Sequence, residues 1–427
     1  MGLKINKTAT CDIFCNVIDN YGDIGVCWRL ARLLANEHSF AVRLWVDDLG
    51  VFARLCPEAN AGLDTQYCRG VEVCHWTADA FYLSSRTSSR AIDRPSALAK
   101  KEFMDRGVAD LVIEAFACKL PPAYIETMAA QTKQPVWINL EYLSAEDWVS
   151  GCHGLPSPHP GLPLTKHFFF PGFTKQTGGL LLEQGLLARR DAFQNDAAQQ
   201  QAFWQSVGVE KPQPETLKIS LFSYENPALH NLFDIWANGA QKILCLVPEG
   251  LILPQVGEYF YDTAPGSGKV YSRGNLQVQV LPFVEQERYD ELLWACDINF
   301  VRGEDSCVRA QWAGRPFVWQ IYPQHDGVHW QKLWTFLNLY HAPLNPDTAG
   351  ALQALWRIWN LENSITEAAP TELKQAWLSF LSAHGELCSH AQLWAHKSAT
   401  NNLALNILDF YHKIGKMRAF EIERQQT

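Results

Sequence analysis

The stretch "CDIFCNVIDNYGDIGVCWRLARLL" (residues 11–34) decides how the chain is to be read. Its first eight residues are mostly apolar on both faces of an extended chain, the pattern of a strand inside a sheet covered on two sides. A short polar turn follows, with Asp19, Gly22, Asp23 and Gly25, and then Val26, Leu30, Leu33 and Leu34 recur at helical spacing. Strand, tight turn and amphipathic helix together open a parallel α/β sheet.

Helix starts of this kind commonly receive phosphate, which two carboxylates would repel. Gly22 and Gly25 permit a tight turn and close approach of a ligand to the backbone. Yet GxxG is not the GxGxxG of a dinucleotide site, and no acidic residue at the proper distance completes that fingerprint. Two readings of the acids stand open. Asp23 caps a helix beginning near Ile24 while Asp19 is solvated, or the carboxylates face a cationic or proton-donating substrate.

Working outward, the alternation continues through the first third of the chain. Strand candidates are 11–18, 41–46, 71–76, 110–116 and 135–140, with helical spacing between most of them. The scheme returns at 217–224, 242–247, 278–284, 297–302 and 315–321, without any residue-level repeat. Residues 151–185 hold seven glycines and five prolines in 35 positions, the density of an irregular interdomain connection. Beyond about 365 the pattern is helical and rich in Leu, Ala and Trp.

At 427 residues the chain exceeds what one core supports, so two domains are expected. The first spans 1–180, completed by C-terminal helices over about 395–427, and the second spans 186–390. The fold class is α/β: two doubly wound, Rossmann-like domains facing a cleft, the glycosyltransferase B architecture. Dehydrogenases and periplasmic binding proteins share the pattern, so the fold leaves function open.

Composition narrows the classes. A net charge of −9 argues against general nucleic-acid binding, which needs a basic face. The start MGLKINKTAT lacks the apolar core of a signal peptide, and no run approaches a membrane span, so a cytoplasmic protein without a membrane partner is expected. Twelve cysteines include no CxxC, and Cys152-His153 has no partner pair at zinc spacing. They are expected reduced, and no metal site is expected.

Three later stretches carry chemistry-bearing residues at strand ends. In "CDINFVRGEDSCVRAQWAGRPFVWQIYPQ" (296–324) a strand ends at Arg302-Gly303 and a helix is expected from Glu304, Asp305 and Ser306. Free backbone N–H groups there, with Ser306 and Arg302, could hold a diphosphate; an ordinary N-cap by Asp305 or Ser306 is the alternative. In "LPFVEQERYDELLW" (281–294), Phe283 could stack on a base while Gln286 reads its edge, unless Phe283 is only core. In "LFSYENPAL" (221–229), Phe222 and Tyr224 occupy alternate positions of a strand end.

Taken together, these stretches strongly resemble the bacterial elongation factor P arginine rhamnosyltransferases. "NYGDIGVCWRLARLL" and "RGEDSCVRAQWAGRPFVW" are the most specific strings, supported by "LVIEAFACKLPPAY" and "WINLEYLSAEDWV". The resemblance runs from Cys11 into the last third and is least diagnostic over 190–215 and the C-terminal tail. It implies an inverting, metal-independent enzyme without a cofactor. Such an enzyme moves rhamnose from dTDP-β-L-rhamnose to a guanidino nitrogen of one arginine of elongation factor P, activating that factor for ribosomes stalled at polyproline.

By the same resemblance the base falls on Asp23, with Asp19 as companion carboxylate and Glu304 as the third catalytic acid. Asn20, Tyr21 and Gly22 fall in the substrate-binding turn. Phe283 stacks on thymine and Gln286 reads it; Phe222, Tyr224, Arg302, Asp305, Ser306 and Tyr322 contact the sugar nucleotide. No DxD motif is present to hold a divalent metal against a diphosphate. Two rival functions remain, a nucleotide-sugar epimerase of similar fold and an inert elongation-factor-P-binding protein. Glycosylated protein product separates both from a transferase.

Overall fold

The structure, a computed structural model, describes residues 8–18, 21–76, 106–323, 327–360 and 370–425, with side chains of the last helix described as far as Met417. The chain divides into two compact units, Met1–Gln184 with Asn401–Thr427, and Gly185–Thr400.

The first unit is built on an eight-stranded sheet in the order β3-β4-β2-β1-β5-β6-β8-β7. Its strands are β1 (Thr10–Cys15), β2 (Ala41–Val46), β3 (Thr65–Cys68), β4 (Val71–His75), β5 (Leu111–Ala115), β6 (Val136–Leu140), β7 (Pro156–Pro158) and β8 (Thr165–Phe169). From β4 to β8 every pairing is parallel, and the two edge strands run antiparallel to their neighbours. The chain leaves β1 toward β2 and returns to β5 on its other side. Order therefore reverses between β1 and β5, and the carboxyl ends of that pair are where a doubly wound sheet receives ligands.

Aromatic side chains fill the core of this unit. Phe14 of β1 stacks on Trp45 at 5.4 Å and meets Trp76 and Tyr124 edge-on at 5.5 and 4.9 Å. The buried Asp12 is paired by Arg43, Nη2 to Oδ2 at 2.7 Å, and accepts the Tyr124 hydroxyl, so its charge is compensated.

Two expectations are corrected here. The strand expected over 11–18 ends at Cys15, the last residue in register with β2, and Ile18 is 67% exposed. Residues 151–185 form an irregular stretch only after Phe169, up to the unit boundary at Gln184. They finish the helix Asp147–Cys152 and supply β7 and β8, and β8 pairs with β6. Pro156 and Pro158 sit in the edge strand, where a missing N–H costs least. The glycines and prolines marked turns between short strands, not their absence. The short polar edge strand β3 and the edge strand Val270–Arg273 of the second unit also carried no apolar run to reveal them.

The second unit has a six-stranded sheet, β11-β12-β10-β9-β13-β14. Its strands are β9 (Leu217–Leu221), β10 (Ile243–Pro248), β11 (Val270–Arg273), β12 (Leu276–Leu281), β13 (Ile298–Arg302) and β14 (Phe317–Gln320). All pairings are parallel except that of the edge strand β11. Order reverses between β9 and β13, held by the buried Ser220–Asn299 hydrogen bond at 2.7 Å. Beyond β14 the helices Val328–His341, Pro346–Asn360, Pro370–Ser382 and His384–Ser398 complete the unit.

All twelve cysteines are free thiols, ten of them buried. Among the described residues no helix is long and apolar enough to cross a membrane, and no cluster of three His, Cys, Asp or Glu is arranged to hold a metal.

Candidate active site

In the first unit the helix after β1 runs Gly22–Asn36, with Tyr21 as N-cap and no side-chain cap. Its first turn closes through the Gly25 N–H donating to the Tyr21 carbonyl at 2.9 Å. Asp23 therefore is not the N-cap of a helix starting near Ile24, and Gly22 and Gly25 belong to the first helical turn. The Asp23 carboxylate, only 3% exposed, reaches backward and accepts the Ile18 N–H at 3.0 Å. A negative charge in the first turn also gains from the helix dipole. Tyr21 and Gly22 are half-buried beside it. Asp19 and Asn20 lie outside the described residues.

Asp47, which sequence reasoning did not single out, acts on the same loop. It follows the last residue of β2 and accepts the Val17 N–H at 2.9 Å. Burial raises the Asp47 carboxyl above its ordinary range, partly opposed by that N–H. The signal in sequence was the doublet Asp47-Asp48, of which only Asp48 caps a helix, accepting the Val51 N–H at 2.9 Å.

In the second unit the expected donor residues gather at strand carboxyl ends. Phe222 and Tyr224 follow β9, Phe283 and Gln286 follow β12, Glu304 to Ser306 follow β13, and Tyr322 follows β14. Phe222 and Tyr224 lie just past their strand, not within it. The helix after β13 runs Gly303–Ala313 with Arg302 as N-cap, so Asp305 and Ser306 are inside its first turns and neither caps it. Gly303 takes φ +64, a left-handed backbone that glycine adopts without strain, and this turns the chain sharply out of the sheet. The Ser306 hydroxyl donates to the Arg302 carbonyl. Glu304 and Asp305 are half-buried.

Arg302 dominates this turn. Its guanidinium lies 4.7 Å from the Phe222 ring centre and 4.5 Å from that of Tyr224, while Tyr224 meets Tyr322 edge-on at 5.6 Å. The side chain is 5% exposed, and its Nε and Nη1 have no hydrogen-bond partner among the described residues. Two unsatisfied donors on a buried cation are costly unless an anion completes them. Phe222 also meets the buried Tyr289, whose phenol burial pushes up.

The helix Gln286–Ala295 begins at Gln286, 5% exposed, with Phe283 half-buried in the preceding loop. A buried pair, Arg309 Nη2 to Asp290 Oδ2 at 2.7 Å, ties this helix to Gly303–Ala313. Gln320 at the end of β14, likewise missed, accepts the Tyr224 N–H at 2.9 Å and fixes the loop after β9.

Two doubly wound sheets, one carrying an anion-ready cluster at its switch point, give the fold of the B-architecture glycosyltransferases. The fold is shared with Phytolacca americana UGT2, solved with UDP-2-fluoro-glucose, at TM-score 0.50 and 10% identity over 94% of this chain and 98% of that one. Residues 11–412 match the family described as Elongation-Factor P (EF-P) rhamnosyltransferase EarP, and the chain belongs to that family of protein-arginine rhamnosyltransferases. A protein-arginine rhamnosyltransferase of Pseudomonas putida is 49% identical over 94% of this chain and 98% of its own length. One from Neisseria meningitidis serogroup B is 34% identical over 81% and 82%. A solved structure giving the basis for EarP-mediated arginine glycosylation of translation elongation factor EF-P superposes at TM-score 0.64, with 36% identity over 95% of this chain and 99% of that one.

Proposed function

We propose that this chain is a cytoplasmic, inverting, metal-independent transferase that moves rhamnose from dTDP-β-L-rhamnose to a guanidino nitrogen of an arginine of elongation factor P. The observation that carries the donor half is Arg302, a buried guanidinium between two aromatic rings with two N–H groups unpartnered. A sugar diphosphonucleotide supplies the oxygens those groups lack. Phe283 stacks on the thymine and Gln286 reads its edge. Phe222, Tyr224, Asp305, Ser306 and Tyr322 line the sugar and phosphates. Family membership supports both the protein acceptor and the sugar.

The acceptor half rests on acidity. An arginine side chain stays protonated well above neutral pH, with a pKa above about 12, so no carboxylate removes its proton before reaction. Asp19 and Asp23 hold the guanidinium instead, with Glu304 as the third acid. As the nitrogen attacks from the face opposite the diphosphate, the C–N bond forms and the anomeric C–O bond breaks with inversion. dTDP leaves with the electron pair, stabilised by Arg302 and the helix amides, and one Asp takes the proton. No cofactor takes part.

Intact-mass analysis of elongation factor P, incubated with this protein and dTDP-rhamnose, tests the reading. A gain of one deoxyhexose is expected. Unmodified factor beside a protein that binds dTDP would transfer the case to an epimerase or an inert binding protein.

A further inference from the structure

We infer that Asp47 is a positioning residue for the acceptor turn, acting through the Val17 N–H; this rests on the transferase reading above. Side chains from four separate segments fasten the chain as it leaves β1. Cys118 donates its thiol to the Phe14 carbonyl at 3.4 Å, and the Trp76 indole donates to the Cys15 carbonyl at 3.1 Å. Asp47 accepts from Val17 at 2.9 Å and Asp23 accepts from Ile18 at 3.0 Å. Thus two adjacent N–H groups are each taken by a carboxylate, one from the helix that follows the loop and one from the neighbouring strand.

Asp47 is itself held. Its β2 strand pairs with β1 up to Val46 opposite Cys15, and its carbonyl lies 3.2 Å from Nε2 of His75 at the end of β4. The carboxylate is thereby presented from the carboxyl end of β2, an internal strand of the sheet, to the loop that follows β1. Because Asp23 spends one oxygen on the same loop, the position of its carboxylate and that of the loop are interdependent. Freeing Val17 would let both move, and displacement of about an ångström is enough to cost rate in a reaction that depends on orientation. What Asp47 supplies is an oxygen acceptor, which asparagine also has.

The test compares Asp47→Ala with Asp47→Asn in the full chain, by amide hydrogen exchange over residues 14–21 and by single-turnover transfer to elongation factor P. Asp47→Ala is expected to speed exchange at Val17 and Ile18 and to slow transfer by about tenfold or more, the scale of one lost hydrogen bond to a charged group. Affinity for dTDP should stay unchanged, which also reports that the second unit is folded. Asp47→Asn should restore slow exchange and bring transfer to within about threefold of the parent, since its amide oxygen accepts the same N–H. Unchanged exchange or unchanged transfer in Asp47→Ala overturns the inference. So does an Asp47→Asn protein as damaged as Asp47→Ala, because the charge and not the position would then matter. If the parent chain transfers no rhamnose, the functional reading fails by itself, and exchange still decides whether Asp47 holds the turn.

Discussion

After β1 the chain enters its helix through a loop whose backbone N–H groups are taken up by carboxylates, Asp47 on Val17 and Asp23 on Ile18. After β13 the same strand-to-helix step is governed by a buried guanidinium with two N–H groups unpartnered. Both turns lie at the point where strand order reverses in a doubly wound sheet. The fold thus builds two equivalent receptacles and leaves their sign to a few side chains. An acid-lined turn suits a cation, and a cation between aromatic rings suits a diphosphate. Strand and helix geometry alone would have predicted phosphate at both.

The harshest way to break this contrast is to remove the charge of the acidic turn. Asp23→Asn keeps shape and helix position and should lower single-turnover transfer by about 10²-fold or more, the scale of a lost general base. Melting temperature and dTDP affinity should hardly change. A folded Asp23→Asn enzyme with near-normal turnover would remove Asp23 from the chemistry, and Asp19→Asn is expected to match it if both acids act on one acceptor.

Breaking the contrast from the other side, Arg302→Met keeps an unbranched side chain beside Phe222 and Tyr224 but withdraws the cation. Calorimetry should give dTDP binding weaker by about 1.5–3 kcal/mol, the worth of hydrogen bonds to a charged group. Equal affinity would mean that the two unpartnered N–H groups do not serve the diphosphate. Phe283→Ala sharpens the same side at its base-binding end, with an expected loss of about 1–3 kcal/mol for one lost stack. The smallest effect is expected from excess EDTA, which should leave transfer intact if Arg302 and the helix amides balance the leaving group. A large loss restored by magnesium or manganese would give that task to a metal.

The parallel strands were legible because burial on both faces writes apolar runs into β1, β2, β5, β6, β9, β10 and β13. β7 and β8 were not, since Pro156, Pro158 and neighbouring glycines look like loop until an edge position explains them. The candidate residues at strand ends were legible as types. What they touch was not: Asp23 looked like a cap because Asp is common there, whereas its partner is the N–H of Ile18, five residues earlier. Arg302 lies far in sequence from Phe222 and Tyr224, and only the β9–β13 pairing brings them together. Gln320 left no local pattern and Asp47 only the Asp47-Asp48 doublet, because each serves a loop that belongs to another strand.

The return of the chain to its first unit has a consequence for how the molecule is made. Gly185–Thr400 lies wholly between the two stretches that compose that unit. The helix Leu403–Gln425 then closes on it: Phe410 meets His167 and Phe169, Tyr411 meets Phe40, and the Asn402 amide donates to the Leu182 carbonyl. During synthesis from the N-terminus, Gly185–Thr400 therefore emerges whole while the first unit still waits for the helix that covers part of its apolar surface. The first unit is therefore completed only after the whole of the second has been made.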